Sequence, residues 1–339
     1  MSSRRLAAVA AAPREHSLDT PAAAPHRLTA ALARRAALAR RVLAFGAGAL
    51  LASAFAPLEW WPFAILCPAA LMWLWEDAPP RDAAGTGFWF SFGTFLAGTY
   101  WLYVSVHDLG KAPVWLTIAL MLGFLGIMGL YYALIGYTAA RWLPPGGAWR
   151  WLVGMPTAWL LVEWWRGWFL SGFSWLSLGY SQTDTWLARF APILGVYGIS
   201  LLLLVSAGAL VALLRGNTRV RLLAAFALIV PWAAGAALGP VRWTHPSGAP
   251  VSVAVIQADI PQQEKWQDRY QDKILERYRT MTESALGTRL IVWPEAALPQ
   301  PANNLLPYIE LMDRETQSHG SSLVMGVVRA SADGERYYD

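Results

Sequence analysis

Seven apolar segments between residues 42 and 239 limit the folds that are open to this chain. An α-helix needs about 20 apolar residues to cross the hydrocarbon core of a bilayer, where every backbone polar group must be paired within the protein. The segments are 42–57, 62–75, 86–105, 114–139, 151–169, 190–214 and 221–239. The second is short, so we expect it to tilt or to extend into the flanking Trp and Pro residues. The pattern predicts an α-helical polytopic membrane bundle of about seven spans.

The distribution of charge predicts the orientation of this bundle. Residues 1–41 are rich in alanine and carry eight arginines, and we expect a basic, disordered cytoplasmic tail ahead of a transmembrane domain at 42–240. With the amino terminus in the cytoplasm, fourteen arginines lie on the inner side of the spans and four basic residues on the outer side. Seven spans would place the chain after Gly239 outside the membrane. Because the net charge of +5 reflects topology, it does not indicate nucleic acid as a partner.

From Val251 the pattern changes to that of a water-facing domain with ordinary charge density. Short β-rich runs at 251–257, 290–293 and 321–328 alternate with amphipathic runs at 268–286 and 305–318. Strand, helix, strand, helix, strand is typical of a layered α/β domain. Three strands are few for a sheet buried on both faces, so we expect 251–339 to be the amino-terminal part of a larger domain.

Glu295 is the candidate catalytic residue of this domain. It follows the strand at 290–293 directly, because Pro294 cannot donate to a β-ladder and ends the strand. In α/β folds the carboxyl ends of strands open into the crevice where chemistry is usually placed. Trp293 and Ala297 put the carboxylate in apolar company, and enclosure there would raise its pKa towards general-base duty. The alternative is a solvated glutamate in a turn.

Four other features bear on function. The segment 163–182, rich in Trp and Gly, predicts either a membrane-level cleft for a lipid headgroup or an aromatic belt with a Glu163–Arg166 ion pair. Glycines at 123, 126 and 129 predict close helix packing. Cys67, the sole cysteine, lies in an apolar span without an activating neighbour, so packing is its expected role. The five histidines show no ligand spacing, and no metal is predicted.

Four stretches resemble apolipoprotein N-acyltransferases, bacterial membrane enzymes of the nitrilase superfamily. They are Phe55-Ala-Pro-Leu-Glu-Trp-Trp-Pro62, Gly98-Thr-Tyr-Trp-Leu-Tyr-Val-Ser105, the segment 163–182, and Gln257-Ala-Asp-Ile-Pro-Gln262 with Lys265-Trp266 and Trp293-Pro-Glu295. The resemblance implies a nitrilase-like α-β-β-α domain on the periplasmic face of an inner-membrane bundle. It implies acyl transfer from a phospholipid, through a Cys thioester, to the α-amino group of a diacylated apolipoprotein, without a cofactor.

The resemblance also assigns residues and marks a departure. Of the family's Glu, Lys and Cys triad, the Glu matches Glu295, and Trp266 matches a tryptophan in a loop leading to the active site, a substrate-binding candidate. The family's Lys and Cys lie farther along the domain, so Lys265 and Lys273 are not expected to replace that lysine. We therefore expect the 339 residues alone to be inactive. The alternatives are a non-catalytic membrane protein with a degenerate nitrilase-like domain, or a membrane-tethered amidase.

Overall fold

The computed structural model describes residues 24–331 and 335–338, with side chains from residue 34 onward. The first helix begins at Ala24, so the part of the predicted tail between residues 24 and 41 is helical, and its first 23 residues lie outside the described part. Arginine is among the better helix formers, so the basic residues of this stretch do not prevent a helix. The chain divides into two compact units. One comprises the chain up to Tyr100 with Ala119–Val241, and the other comprises Trp101–Ile118 with the chain from Arg242.

The first unit consists of helices and their connections, and the first turn of the helix at Val114–Trp142 belongs to the second unit. The helices are α1 (Ala24–Leu51), α2 (Phe63–Trp75), α3 (Pro80–Gly98), α4 (Val114–Trp142), α5 (Gly147–Trp149), α6 (Met155–Arg166), α7 (Ala191–Arg215) and α8 (Thr218–Ala237), with a π-helical turn at Arg150–Gly154. Each of the seven predicted apolar segments therefore contains a helix. Four helical stretches in the described chain are long and apolar enough to cross a membrane, namely Arg34–Ala54, Val114–Trp142, Trp186–Arg215 and Thr218–Ala237.

Helices α1 and α3 lie side by side in the same direction, with their backbones in contact. A Cβ at Gly48 would overlap the carbonyl oxygen of Phe90, and a Cβ at Gly93 would overlap that of Phe45. Arg41 of α1 faces the amino-terminal part of α3. Along α1 the contacts pass from Arg41 with Gly85, through Phe45 with Trp89, to Gly48 with Phe90, so positions rise together on both helices and the pair is parallel. Glycine at the two contacts removes the side chains that would hold the helices apart.

Of the three glycines predicted to pack closely in α4, one does so. A Cβ at Gly129 would lie 2.6 Å from the ring of Phe88 in α3, so glycine allows a close contact there. No heavy atom would lie within 4 Å of a Cβ at Gly123 or Gly126, which lie on the side of the helix where Leu120 and Leu122 are exposed. A spacing of three residues therefore predicts one close contact with α3 but does not bring all three glycines into it.

A buried ion pair joins the end of α2 to the chain that follows α4. Arg150 Nε donates to Glu76 Oε2 at 3.0 Å, and both residues are almost fully buried. Trp151 Nε1 donates to the same oxygen at 2.7 Å, and the backbone N–H of Gly146 donates to Glu76 Oε1 at 2.7 Å. The remaining guanidinium nitrogens donate to three backbone carbonyls, those of Trp75, Ala139 and Leu143. Every guanidinium nitrogen of Arg150 therefore has an acceptor, which offsets the cost of burying both charges.

Two adjacent carboxylates allow this network to be tested. Glu76→Gln leaves the Arg150 charge buried without a counter-ion, and we expect a loss of about 3–5 kcal/mol in unfolding free energy. Asp77→Asn is the matched control, since Asp77 pairs with Arg215 at 2.8 Å while 69% of its side chain is exposed. That change should cost about 0–1 kcal/mol. Thermal unfolding of the detergent-solubilised variants measures both, and equal effects would contradict the network's role.

The second unit contains a parallel three-stranded sheet. Its strands β1 (Val253–Val255), β2 (Leu290–Val292) and β3 (Ser322–Val324) lie in the order β1-β2-β3, linked by α9 (Gln262–Lys265), α10 (Gln271–Glu283) and α11 (Leu306–Ser318). A short antiparallel pair, β4 (Arg329–Ala330) and β5 (Tyr337–Tyr338), follows. The predicted alternation of strands and helices is confirmed, although each strand is shorter than its apolar run.

The two faces of this sheet differ. Ile291 is fully buried in a core that also contains Tyr278 of α10 and Met312 of α11. On the opposite face, Val253 and Val255 of β1 are 51% and 75% exposed. The register places Val255 beside Val292 and Val324, so apolar side chains line this face across all three strands. Among the described residues of this unit, helices therefore cover one face of the sheet.

Candidate functional site

Glu295 lies in a turn at the carboxyl edge of the sheet, as the sequence predicts. The backbone N–H of Trp293 donates to the Val324 carbonyl at 2.8 Å, and that of Ala297 donates to the Gly326 carbonyl at 2.9 Å. A Cβ at Gly326 would lie 2.7 Å from the Cα of Glu295, which no real Cβ tolerates. The chain beyond β3 therefore holds the Glu295 turn from both sides, and only glycine allows that approach.

Trp293 anchors the strand end from the helix side. Its indole Nε1 donates to Thr282 Oγ1 at 3.0 Å, and its ring lies 4.8 Å from that of Tyr278. Both partners belong to α10, so the tryptophan fixes the end of β2 to that helix. A buried indole with its N–H satisfied combines a large apolar contact with a directional bond. This accounts for tryptophan immediately before the turn.

The Glu295 side chain itself is exposed. Trp293, Ala297 and Leu298 are buried, so the apolar neighbours in sequence turn into the core while the carboxylate faces outward. Ala296 has a φ of 45°, which reverses the chain direction within two residues. The expected enclosure of the carboxylate is therefore absent from the described residues. Proximity in sequence was a poor guide here because the turn separates adjacent side chains.

The sequence reasoning missed that Lys265 lies near Glu295. Lys265 ends α9, in the connection that follows β1, and is half-buried. Burial lowers the pKa of the Lys265 amine, and the negative charge of Glu295 opposes that decrease. The structure thus brings the two charged groups within electrostatic range. The available signal was that both follow parallel strands, whose carboxyl ends meet at one edge.

Trp266, the predicted substrate-binding residue, lies next to this pair. It is 49% exposed, and Lys265 Nζ lies 5.6 Å from its ring centroid. A carboxylate, an ammonium and an accessible indole therefore occur on neighbouring loops. Together they offer a base, a cation and a flat apolar surface, which are suited to a substrate with a polar reacting centre and an apolar body.

The predicted Glu163–Arg166 pair is not formed in the structure. Neither residue occurs in the three ion pairs of the described chain. Glu163 Oε1 accepts from Ser200 Oγ at 2.5 Å, and Oε2 accepts from the backbone N–H of Leu178 at 3.2 Å. Arg166 Nη1 instead donates to two backbone carbonyls, those of Phe173 and Trp175. The chain folds back after α6, so its backbone accepts from Arg166 and donates to one oxygen of Glu163, while Ser200 of α7 donates to the other. Within the described residues, Arg166 Nε is buried without a hydrogen-bond partner.

These contacts shape an aromatic surface in the first unit. The segment held by Glu163 and Arg166 exposes more than half of each of three large rings, those of Trp168, Trp175 and Tyr180. The predicted aromatic belt is therefore present, with backbone-directed charges beneath it. Rings of this kind are favoured at the depth of lipid headgroups.

Fold and site together define a multi-pass membrane protein with an α/β domain whose charged groups meet at the carboxyl edge of a sheet. Residues 47–209 match the family model for the apolipoprotein N-acyltransferase N-terminal domain. The chain belongs to the apolipoprotein N-acyltransferase family. Similar proteins, each named apolipoprotein N-acyltransferase, come from Methylococcus capsulatus (37% identical), Pseudomonas putida (40%) and Azotobacter vinelandii (39%). The matches cover 88% of this chain and 59–60% of the relatives, so the chain spans about three fifths of their length.

The electrostatic link between Lys265 and Glu295 can be measured directly. Glu295→Gln removes the negative charge that raises the pKa of Lys265, so the pKa should fall further. A larger fraction of the amine is then neutral at a given alkaline pH, and acylation by acetic anhydride should be faster. Peptide mass spectrometry gives the rate, with the exposed Lys273 as internal reference. Glu264→Gln is the control, since Glu264 contributes nothing resolved to the Lys265 pKa. An unchanged or slower rate in Glu295→Gln would contradict the link.

Proposed function

We propose that this chain forms the membrane domain and part of the catalytic domain of an apolipoprotein N-acyltransferase. In this proposal Glu295 is the general base. The observation that carries it is the Glu295 turn, fixed by Gly326 and Trp293 beside Lys265, in a chain 37–40% identical to relatives of that name. The substrates are a membrane phospholipid as acyl donor and a diacylated apolipoprotein as acceptor.

The proposed reaction has two half-reactions. The Glu295 carboxylate takes the proton of a cysteine thiol, and the thiolate attacks the ester carbonyl of the phospholipid. Collapse of the tetrahedral intermediate gives a thioester and a lysophospholipid, which receives the proton. The α-amino group of the acceptor then attacks the thioester, forms the amide and restores the thiol. A lysine ammonium stabilises the oxyanion in both steps.

The nucleophile and that lysine lie outside these 339 residues in our proposal. Cys67 is the sole cysteine of the sequence, and it is buried within α2. Burial among apolar groups disfavours the thiolate that acyl transfer needs. Lys265 is placed to tune Glu295 electrostatically, and exposed Trp266 to contact the lipid substrate.

We further propose seven spans with the amino terminus in the cytoplasm and the α/β domain outside the inner membrane. The additional spans are α2, α3 and the helical segment ending with α6. The parallel contact of α3 with α1 supports this, since a helix beside a span in the same direction crosses the same layer. Helix α2, with thirteen residues, is about 20 Å long and needs its flanking residues to complete a crossing.

The catalytic domain is proposed to be nitrilase-like, beginning near residue 251. The support is the sheet with helices on one face and exposed Val253, Val255 and Val324 on the other. Parallel sheets are stable when both faces are covered. In an α-β-β-α arrangement a second sheet packs on that valine face.

A chimera tests the proposed role of Glu295. Residues 1–339 would replace the matching part of the Pseudomonas putida relative, and mass spectrometry would follow N-acylation of a diacylated lipopeptide in phospholipid vesicles. We expect activity from the chimera, none from the 339 residues alone, and a loss of about 10²–10⁴-fold in the Glu295→Gln chimera. Glu264→Gln should leave the rate unchanged.

Two results would overturn the proposal. Acylation by the 339 residues alone would show that the nucleophile is among them. Full activity of the Glu295→Gln chimera would remove the general-base assignment and favour a non-catalytic domain in this chain.

A further inference from the structure

Two adjoining cavities lie between the middle of α1 and the amino-terminal half of α3, within the first unit, whereas Glu295 belongs to the second. The first, of about 430 Å³, is charged and is lined by Arg34, Ala37, Leu38, Arg41 and Asp82. The second, of about 410 Å³, is apolar apart from one arginine and is lined by Leu38, Arg41, Val42, Phe45 and Trp89. Because Leu38 and Arg41 line both, the cavities form one groove that changes from charged to apolar.

The groove follows helical periodicity on α1. Arg34, Leu38 and Arg41 are spaced four and three residues apart and share one face, and Phe45 continues it. Eleven residues of helix from Arg34 to Phe45 rise about 16 Å, enough to run from the phosphate level into the acyl region. Trp89 closes the apolar end, with its ring 6.5 Å from that of Phe45. The polarity gradient along the groove matches that of a phospholipid.

Arg41 occupies a place shaped for its guanidinium. A Cβ at Gly85 would lie 3.1 Å from Arg41 Nε and 3.3 Å from Nη2, so the bare glycine gives the group room against α3. Between residues 34 and 331, no ion pair or side-chain hydrogen bond engages Arg34 or Arg41, and Asp82 forms no ion pair there either. Two guanidinium groups against one carboxylate leave a net charge of +1. The charged end therefore fits a ligand that carries one negative charge.

We propose that this groove binds an anionic glycerophospholipid with a glycerol headgroup. Arg34 and Arg41 bind its phosphate, since a guanidinium matches phosphate with paired hydrogen bonds. Asp82 accepts a hydrogen bond from a headgroup hydroxyl. An acyl chain lies along Leu38, Val42, Phe45 and Trp89. Basic pockets between helices are a recognised route to specific lipid binding.

This site is separate from the proposed acyl-transfer chemistry. In the proposed orientation the groove opens to the cytoplasmic leaflet, whereas Glu295 lies on the other side of the membrane. A free phosphate ion would leave the apolar half of the groove exposed to water. A zwitterionic lipid would leave the charged half with a net positive charge. The bound lipid is thus a structural ligand of the first unit rather than the acyl donor.

Native mass spectrometry of the full chain in nanodiscs tests the proposal. Phosphatidylglycerol and phosphatidylethanolamine are supplied in equal amounts, and the retained lipid is counted. The double variant Arg34→Gln/Arg41→Gln should retain phosphatidylglycerol about tenfold to thirtyfold less well. The matched control Arg35→Gln/Arg40→Gln removes the same charge from residues of α1 that do not line the groove, and should stay within about twofold of the unaltered chain.

Further variants and a competition with inorganic phosphate identify the ligand. Asp82→Asn should preserve phosphatidylglycerol retention, and millimolar inorganic phosphate should not displace the lipid. Trp89→Ala should weaken retention while leaving the phosphate contacts in place. An equal thermal midpoint for the two arginine double variants excludes misfolding as the cause of a difference. Equal loss in both double variants would show diffuse attraction only. The proposal would also be overturned if the chain preferred phosphatidylethanolamine and the Asp82→Asn variant lost that preference. Displacement of the lipid by inorganic phosphate would overturn it as well.

Discussion

The buried Glu76 carboxylate shows the constraint on which the first unit depends. Within an apolar bundle, a charge persists only if protein groups replace the water that it loses. Glu76 meets this with the side chains of Arg150 and Trp151 and the backbone of Gly146, so it ties the end of α2 to the segment after α4. Glu163 and Arg166 meet it with backbone and hydroxyl groups at the other end of the bundle. Each carboxylate thereby fixes a connection between helices.

At the edge of its sheet, the α/β domain exposes a carboxylate instead of burying it. Trp293 and Gly326 hold the backbone firmly, while the Glu295 carboxylate is left accessible. An accessible carboxylate on a rigid turn can receive a proton from a group brought to it, which is what the proposed general base must do. Lys265 supplies a nearby positive charge without forming an ion pair that would occupy the carboxylate. The backbone turn at Glu295 is therefore held rigidly while its carboxylate stays accessible.

Much of this arrangement could be predicted from periodicity. Apolar runs located the seven helical segments, and strand–Pro–Glu located Glu295 at a sheet edge, because both depend on local patterns. The partners of individual side chains could not be predicted. Glu163 and Arg166 are one helical turn apart, yet each binds the chain that folds back after α6. Likewise, Gly48 rather than Gly126 provides the close helix contact, because packing depends on which face meets a neighbour. The proximity of Lys265 to Glu295 depends on strand order, which the sequence leaves open.

The central claim is that an odd number of spans separates the amino terminus from the domain that carries Glu295. Cysteine mapping tests it directly in a Cys67→Ala background, with single cysteines at the exposed positions Gln263 and Arg219. Intact cells are treated with a membrane-impermeant maleimide. Seven spans with the amino terminus inside predict labelling at 263 and protection at 219. If only the four long apolar helices cross, the pattern reverses, with labelling at 219 and protection at 263. That result would contradict the account.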